Sequence, residues 1–186
     1  MRRKTNVYYM KRRSRKDLMP YAVAIAIVVV AALSTAPWQG LLGKSERANS
    51  SDLVGVASII DGDTIEIHGH RIRLHGIDAP ESAQTCTRNG SAYRCGKDAA
   101  FALAGKIGRG VVSCQQRDTD RYGRVVAVCS QGGIDLNRWM VREGHAIAYR
   151  KYSMDYVIAE GEAKAARAGI WAGEFVNPED FRRGAR

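Results

Sequence analysis

The sequence of 186 residues predicts an α+β fold, and three observations carry that prediction. Between Ile65 and His75, apolar and polar residues alternate at a period of two, which is the pattern of strands with one buried face. Glycine-containing turns divide the first half of the folded region into short segments. Beyond Gly96 the period changes: Ala99, Ala100, Phe101, Leu103 and Ala104 recur at helical spacing, and two more helical stretches follow. Short strands and then helices, in the length of one ordinary domain with extensions, give the class.

Residues 1–17 are a basic flank without apolar periodicity. Residues 18–38 are nearly continuous apolar sequence, and no charge recurs until Lys44. A basic flank ahead of an apolar run predicts a transmembrane anchor or a signal peptide, with everything C-terminal to it exported. Small residues near Ser34 and Ala36 suit cleavage, although Pro37 disfavours the second position. The long basic flank and the uncharged run past Trp38 favour an uncleaved single-pass anchor. The expected location is extracytoplasmic: periplasmic or on the outer face of the plasma membrane, or secreted if the segment is cut. Residues 39–52, rich in Gly, Ser and charge, read as a linker. Residues 53–175 are the expected domain, and 176–186 a polar, frayed tail.

Inside the domain, 53–60 reads as a strand entering the turn Asp61-Gly62-Asp63-Thr64. Ile65 and Ile67, then Ile72 and Leu74, mark the two strands of a hairpin that reverses at Gly69. Residues 81–96 read as a polar loop, and 97–107 as a helix. Strands over 111–115 and 125–130 flank a turn holding Asp120 to Gly123. Asp135 is placed to cap a helix that begins at Leu136 and stops at Gly144. Residues 146–152 look extended or irregular. Ser153 opens the last helix, Gly169 closes it, and Ile170 and Trp171 then dock on the core.

The net charge of +10 comes from 29 bases and 19 acids. Nine of those bases and one of the acids precede Ser45, which leaves 20 bases against 18 acids, or +2, for the remainder. Basicity is therefore a property of the N-terminus and does not argue for a nucleic-acid-binding domain. An even number of cysteines behind an export signal suggests disulfides, and the lack of any Cys-x-x-Cys argues against a zinc knuckle. Cys114 and Cys129 lie at nearly equal distances from the turn between their strands, so antiparallel pairing sets them side by side. That predicts Cys114–Cys129 and Cys86–Cys95, with the other two pairings still open.

The chemistry concentrates in residues 60–81. Asp63 enters the first hairpin strand and Asp78 leaves the second, so folding brings the two carboxylates together. Close carboxylates repel unless a cation sits between them, and hard oxygen ligands favour Ca²⁺ or Mg²⁺. Pro80 keeps Ala79 out of helical geometry, which frees the Ala79 carbonyl as a third ligand. With Arg73 to neutralise oxygens and Glu81 to activate or orient water, the set suits attack on a phosphate ester. Taken alone, Asp-Gly-Asp would read as a turn. His68 and His70 span the hairpin reversal and read as solvated turn residues.

The stretch from Asp61 to Glu81 resembles the active-site signature of the staphylococcal nuclease (thermonuclease) family. A second signature follows in order at Asp120-Arg121-Tyr122-Gly123-Arg124. The likeness spans about 54–171. It implies a five-stranded OB barrel with three helices. It also implies Ca²⁺-dependent hydrolysis of DNA and RNA to 3′-phosphate ends, carried out by a monomer. By this resemblance Asp63, Asp78 and the Ala79 carbonyl hold the metal. Arg73, Glu81 and Arg124 are catalytic, and Tyr122 and Tyr152 lie near the nucleotide. The loop at 81–96 departs from the family pattern, being lysine-poor, with only Arg88 and Arg94 basic. Two alternatives stand beside the enzyme: a non-catalytic OB module that binds nucleic acid or protein, and a membrane-tethered scaffold.

Overall fold

The central hairpin forms around a two-residue turn. In the computed structural model, which describes residues 52–185, β3 (Thr64–Ile67) pairs antiparallel with β4 (His70–Leu74), with Thr64 opposite Arg73 and Ile65 opposite Ile72. His68 and Gly69 both take positive φ, 52° and 81°. A type I′ turn demands this at both central positions, and its twist matches that of the strands it joins. The apolar stripe then faces inward, burying Ile65, Ile67, Ile72 and Leu74. The expected flank and anchor at 1–17 and 18–38, and the 39–52 linker apart from Asp52, lie outside the described residues; Asp52 begins the first strand. Among those that are described, no helix is long and apolar enough to cross a membrane.

The strand expected over 53–60 is broken at Ala57 into β1 (Asp52–Val56) and β2 (Ser58–Ile59). β1 pairs with β8 (Val111–Thr119), and β2 pairs with β3. With β9 (Val125–Gln131), the sheet runs β1-β8-β9-β4-β3-β2, and the two-residue β10 (Ile134–Asp135) adds to β9. β1 and β2 are consecutive in the chain yet end this order on opposite sides, so the sheet must curl until its two edges meet. Counted as one bent strand, they complete the five arms of an OB-like α+β domain.

Three helices cover the curled sheet: α1 (Cys95–Ile107), α2 (Leu136–Arg142) and α3 (Val157–Ala166). Asp135 caps α2 as expected, accepting the Arg138 N–H at 2.9 Å. α3 is shorter than the 153–169 reading. Its C-terminal residue in left-handed geometry is Arg167 (φ 50°), and Gly169 instead opens a 3₁₀ turn, Gly169–Ala172. Leu103, Leu136, Met140 and Val141 meet the hairpin side chains in one core.

Two other expectations change. Residues 81–96 are not wholly loop: β6 (Cys86–Arg88) and β7 (Ser91–Tyr93) form a second hairpin, turning at Asn89 (φ 51°) and Gly90 (φ 75°). The stretch at 146–152, expected to be extended or irregular, contains the short extended β11 (Ile147–Ala148). The tail at 176–186 is not frayed, since Pro178–Arg182 forms α4. Asn177 caps it by accepting the Glu179 N–H at 3.0 Å, Pro178 fills its first turn, and Glu179 and Asp180 complement the helix dipole. Both predicted disulfides form. Cys114 and Cys129 are directly opposed in the β8–β9 register, and Cys86–Cys95 ties the small hairpin to the start of α1.

Candidate active site

The two signatures meet because of one parallel strand pair. β4 runs beside β9 with Ile72 opposite Val125 and Arg73 opposite Val126. That register carries the end of the Asp120–Arg124 turn to the flank of Arg73, although the two segments are far apart in sequence. Asp78 reaches the site by a different route from the one expected. It does not leave β4 but sits on its own short strand, β5 (Ile77–Asp78), paired with β11 so that Asp78 faces Ile147. The buried Glu160 of α3 steadies this pair by accepting the Ala148 N–H at 3.1 Å.

Asp63 and Asp78 are joined by a single guanidinium. Arg73 donates through Nη1 to Asp63 Oδ1 at 2.9 Å and through Nη2 to Asp78 Oδ1 at 2.8 Å. Both carboxylates are buried, Asp63 at 4% exposure and Asp78 at 0%. Asp63 also accepts the Thr64 hydroxyl at 3.1 Å and the Ala79 N–H at 3.2 Å. Asp61 turns back to accept the Asp63 N–H at 3.0 Å, shaping the loop. Burial pushes the Asp63 carboxyl up to about 7 despite Arg73, with Asp61 and Asp78 adding to the rise. Arg73 stays charged, because the pull of Asp63 and Asp78 outweighs its own burial. A cluster of hard, buried oxygens in which burial still raises the Asp63 carboxyl fits a divalent cation. The set comprises two carboxylates and a backbone carbonyl. Among the described residues, no group of three or more His, Cys, Asp or Glu side chains stands ready to hold a metal. His68 and His70 are exposed at the hairpin turn, as expected.

Arg124 lines the same cleft, of about 890 Å³, together with Asp63, Arg73, Ala79 and Glu81. Its guanidinium is held from its own turn: Nε and Nη2 each lie 2.7 Å from Asp120 Oδ2. Asp120 Oδ1 accepts the N–H groups of Tyr122 and Arg124, both at 2.9 Å. Burial alone would raise the Asp120 carboxyl, but these bonds hold it below the usual range. Asp120 thus shapes the turn and holds the Arg124 guanidinium in it. Tyr122 and Tyr152 both line the cleft and are largely exposed, at 70% and 65%. Tyr149 joins them, its ring edge-on to Tyr152 at 4.8 Å.

Two residues of this region escaped the sequence reading. Gln84, fully buried, accepts the Glu81 N–H at 3.2 Å and donates to the Val176 carbonyl at 2.6 Å. It fixes the backbone of Glu81 to the C-terminal segment, and a lone Gln in a polar stretch carries no signal of that. The other is Arg182, at the end of α4. It donates to both oxygens of Asp78, at 3.0 and 2.9 Å, and to Glu81 Oε1 at 2.7 Å. Here a signal was present, because Asn177-Pro178-Glu179 is a helix start.

The family profile described as "Staphylococcal nuclease homologue" matches residues 71–173. The chain is similar to the succinoglycan biosynthesis protein ExoI of Rhizobium meliloti (strain 1021), at 40% identity over 70% of this chain and 71% of that protein. It is 34% identical to Protein ParB of Escherichia coli, over 94% and 95% of the two chains. It is 32% identical to the micrococcal nuclease of Shigella flexneri, over 80% and 84%.

Proposed function

The chain belongs to the staphylococcal nuclease family, and on that premise we propose that it is a Ca²⁺-dependent nuclease that hydrolyses phosphodiesters of DNA, RNA or both. The observation that carries this reading is the Arg73 bridge between two buried carboxylates at the mouth of a cleft that also holds Glu81 and Arg124. A binding module has no use for a further carboxylate, Glu81, beside such a cluster.

Asp63, Asp78 and the Ala79 carbonyl would hold the cation, which, when bound, supplies Lewis-acid neutralisation of a phosphate oxygen. The chain's own residues do the rest. Glu81 accepts a hydrogen bond or a proton from the attacking water, its backbone held by Gln84. Arg73 and Arg124 face the phosphate oxygens on which charge gathers during attack. Their planar, bidentate donors meet that charge better than lysine would. Tyr122 and Tyr152 offer ring faces to the nucleotide from the cleft rim. Contacts of this kind grip phosphate and not base edges, so little sequence selectivity is expected. We assign the 5′ oxygen as leaving group, giving 3′-phosphate ends. The two disulfides suit an oxidising, extracytoplasmic setting.

Incubating the purified chain with single-stranded DNA or RNA, with Ca²⁺ or with a chelator, tests the reading. Cleavage with Ca²⁺ alone, leaving ends that a 3′-phosphatase converts to hydroxyls, supports it. Binding without cleavage would return the chain to the class of binding modules.

A further inference from the structure

The ion pair between α4 and the carboxylates has no place in the mechanism above, and it involves two of the three acids the mechanism needs, Asp78 and Glu81. Asp78 Oδ1 accepts from Arg73 Nη2 at 2.8 Å and from Arg182 Nη1 at 3.0 Å; Asp78 Oδ2 accepts from Arg182 Nη2 at 2.9 Å. Both oxygens of a fully buried carboxylate are therefore occupied by guanidinium N–H groups. The same Arg182 Nη1 reaches Glu81 Oε1 at 2.7 Å. Burial opposes the charge on Arg182, yet its bonds to Asp78 and Glu81 outweigh that and raise its pKa.

The seating is specific to this helix. Gln84 pins the chain at Val176, the Asn177 cap and Pro178 set the start of α4, and one turn later Arg182 points into the cleft. Its neighbour Arg183 lines the same cleft but pairs with Glu179, not with Asp78 or Glu81.

We propose that Arg182 is a resident counter-cation of the active site: it holds the place on Asp78 that a divalent cation would take while pairing with Glu81 beside it, so docking of α4 and loading of the cation exclude one another. This rests on the reading of Asp78 as a cation ligand. The physical reason is short-range. A cation ligated by Asp78 needs an oxygen lone pair that now accepts from Arg182, and two positive charges at ligand distance repel strongly in a buried site. Arg182 therefore weakens cation affinity, and α4 leaves its seat as the cation enters.

The test uses the full chain without nucleic acid. Ca²⁺ binding is measured by calorimetry, with Tb³⁺ luminescence as a second readout, for wild type, Arg182→Ala, Arg182→Gln and Arg183→Ala. Breaking charge-assisted bonds of this kind corresponds to roughly 10- to 100-fold, so both Arg182 variants are expected to bind the cation tighter by about that factor. Arg183→Ala removes the same charge from the same cleft without touching Asp78, and should change affinity by less than roughly threefold. In wild type, saturating Ca²⁺ should raise hydrogen exchange at the Phe181 and Arg183 amides, which bond back to Asn177 and Asp180 in the docked helix. Equal affinities for wild type and the Arg182 variants, an equal gain from Arg183→Ala, or unchanged exchange at saturation would each overturn the proposal. Absence of cation binding in every variant would remove the Ca²⁺ reading itself, and this proposal with it.

Discussion

A single methyl group at Gly96 should separate two forces that usually act together. Gly96 is the second residue of α1, where helix propensity alone favours Gly→Ala by about 0.5–1 kcal/mol. A Cβ built there, however, would lie 1.7 Å from the Glu81 carbonyl oxygen and 2.5 Å from its carbon. Real Cβ contacts essentially never fall under 3.0 Å. The two backbones must therefore part by the difference between 3.0 and 1.7, about 1.3 Å. α1 cannot easily yield, because the adjacent Cys95 is bonded to Cys86. The shift falls on Glu81, whose backbone Gln84 otherwise fixes. A displacement near 1 Å at a catalytic group costs on the order of 10²-fold in rate, and overpacking costs about 1–3 kcal/mol. Gly105→Ala is the internal control: it lies on the same helix with nothing within 4 Å of its Cβ. Thermal melts and kcat on single-stranded DNA with Ca²⁺ decide the matter. Gly105→Ala should melt higher with unchanged kcat, and Gly96→Ala should melt lower with kcat down about 10²-fold. If Gly96→Ala behaves like Gly105→Ala, the packing of α1 does not position Glu81 and the argument fails.

Arg124→Ala should melt near wild type, since its guanidinium is bound within its own turn, and lose about 10²-fold or more in rate; full activity would remove it from the reaction. Arg73→Ala leaves two buried carboxylates without their shared partner, so chemical denaturation in chelator should show a loss of about 3–5 kcal/mol, and an unshifted midpoint would contradict the bridge. Burial raises the Glu160 carboxyl, but bonds from Arg150, Lys164 and the Ala148 N–H hold it below its ordinary 4.5. Its contribution is thus present above 4.5 and fades as pH falls through the depressed folded value. The stability gap between wild type and Glu160→Gln should be full at neutral pH and close on acidification, and a gap independent of pH would refute the pairing. Reducing Cys114–Cys129, which closes a sequence separation of 15, should destabilise the domain by about 3 kcal/mol, read as a lower melting temperature in dithiothreitol.

Much of the site could be read from local pattern, because local rules govern it. A period of two places Ile65, Ile67, Ile72 and Leu74 on one face, so the polar residues between them and the strand ends, Asp63 among them, are left to do chemistry. The equal spacing of Cys114 and Cys129 about their turn follows from antiparallel pairing and needs no tertiary information. Asn89-Gly90 and Asn177-Pro178-Glu179 are equally local signals, of a hairpin and a helix start, but polar surroundings mask them. Polarity argues for exposure, and in this protein it hid a hairpin and a helix, of which the helix lines the cleft.

What the residues alone determined is therefore the strand alternation, the favoured disulfide pairing and, Arg182 excepted, the acids and arginines that the site uses. Each depends on spacings of a few residues or on a family signature. Tertiary structure decided how they meet. The parallel β4–β9 register brings Arg124 beside Arg73, and the β5–β11 pair turns Asp78 toward Asp63. α4 sends Arg182 back across 104 residues of chain to Asp78. The physical reason is that a contact's sequence separation carries no periodic trace. Burying Asp78 required positive charge, and only the folded chain could show that Arg73 and Arg182 both supply it.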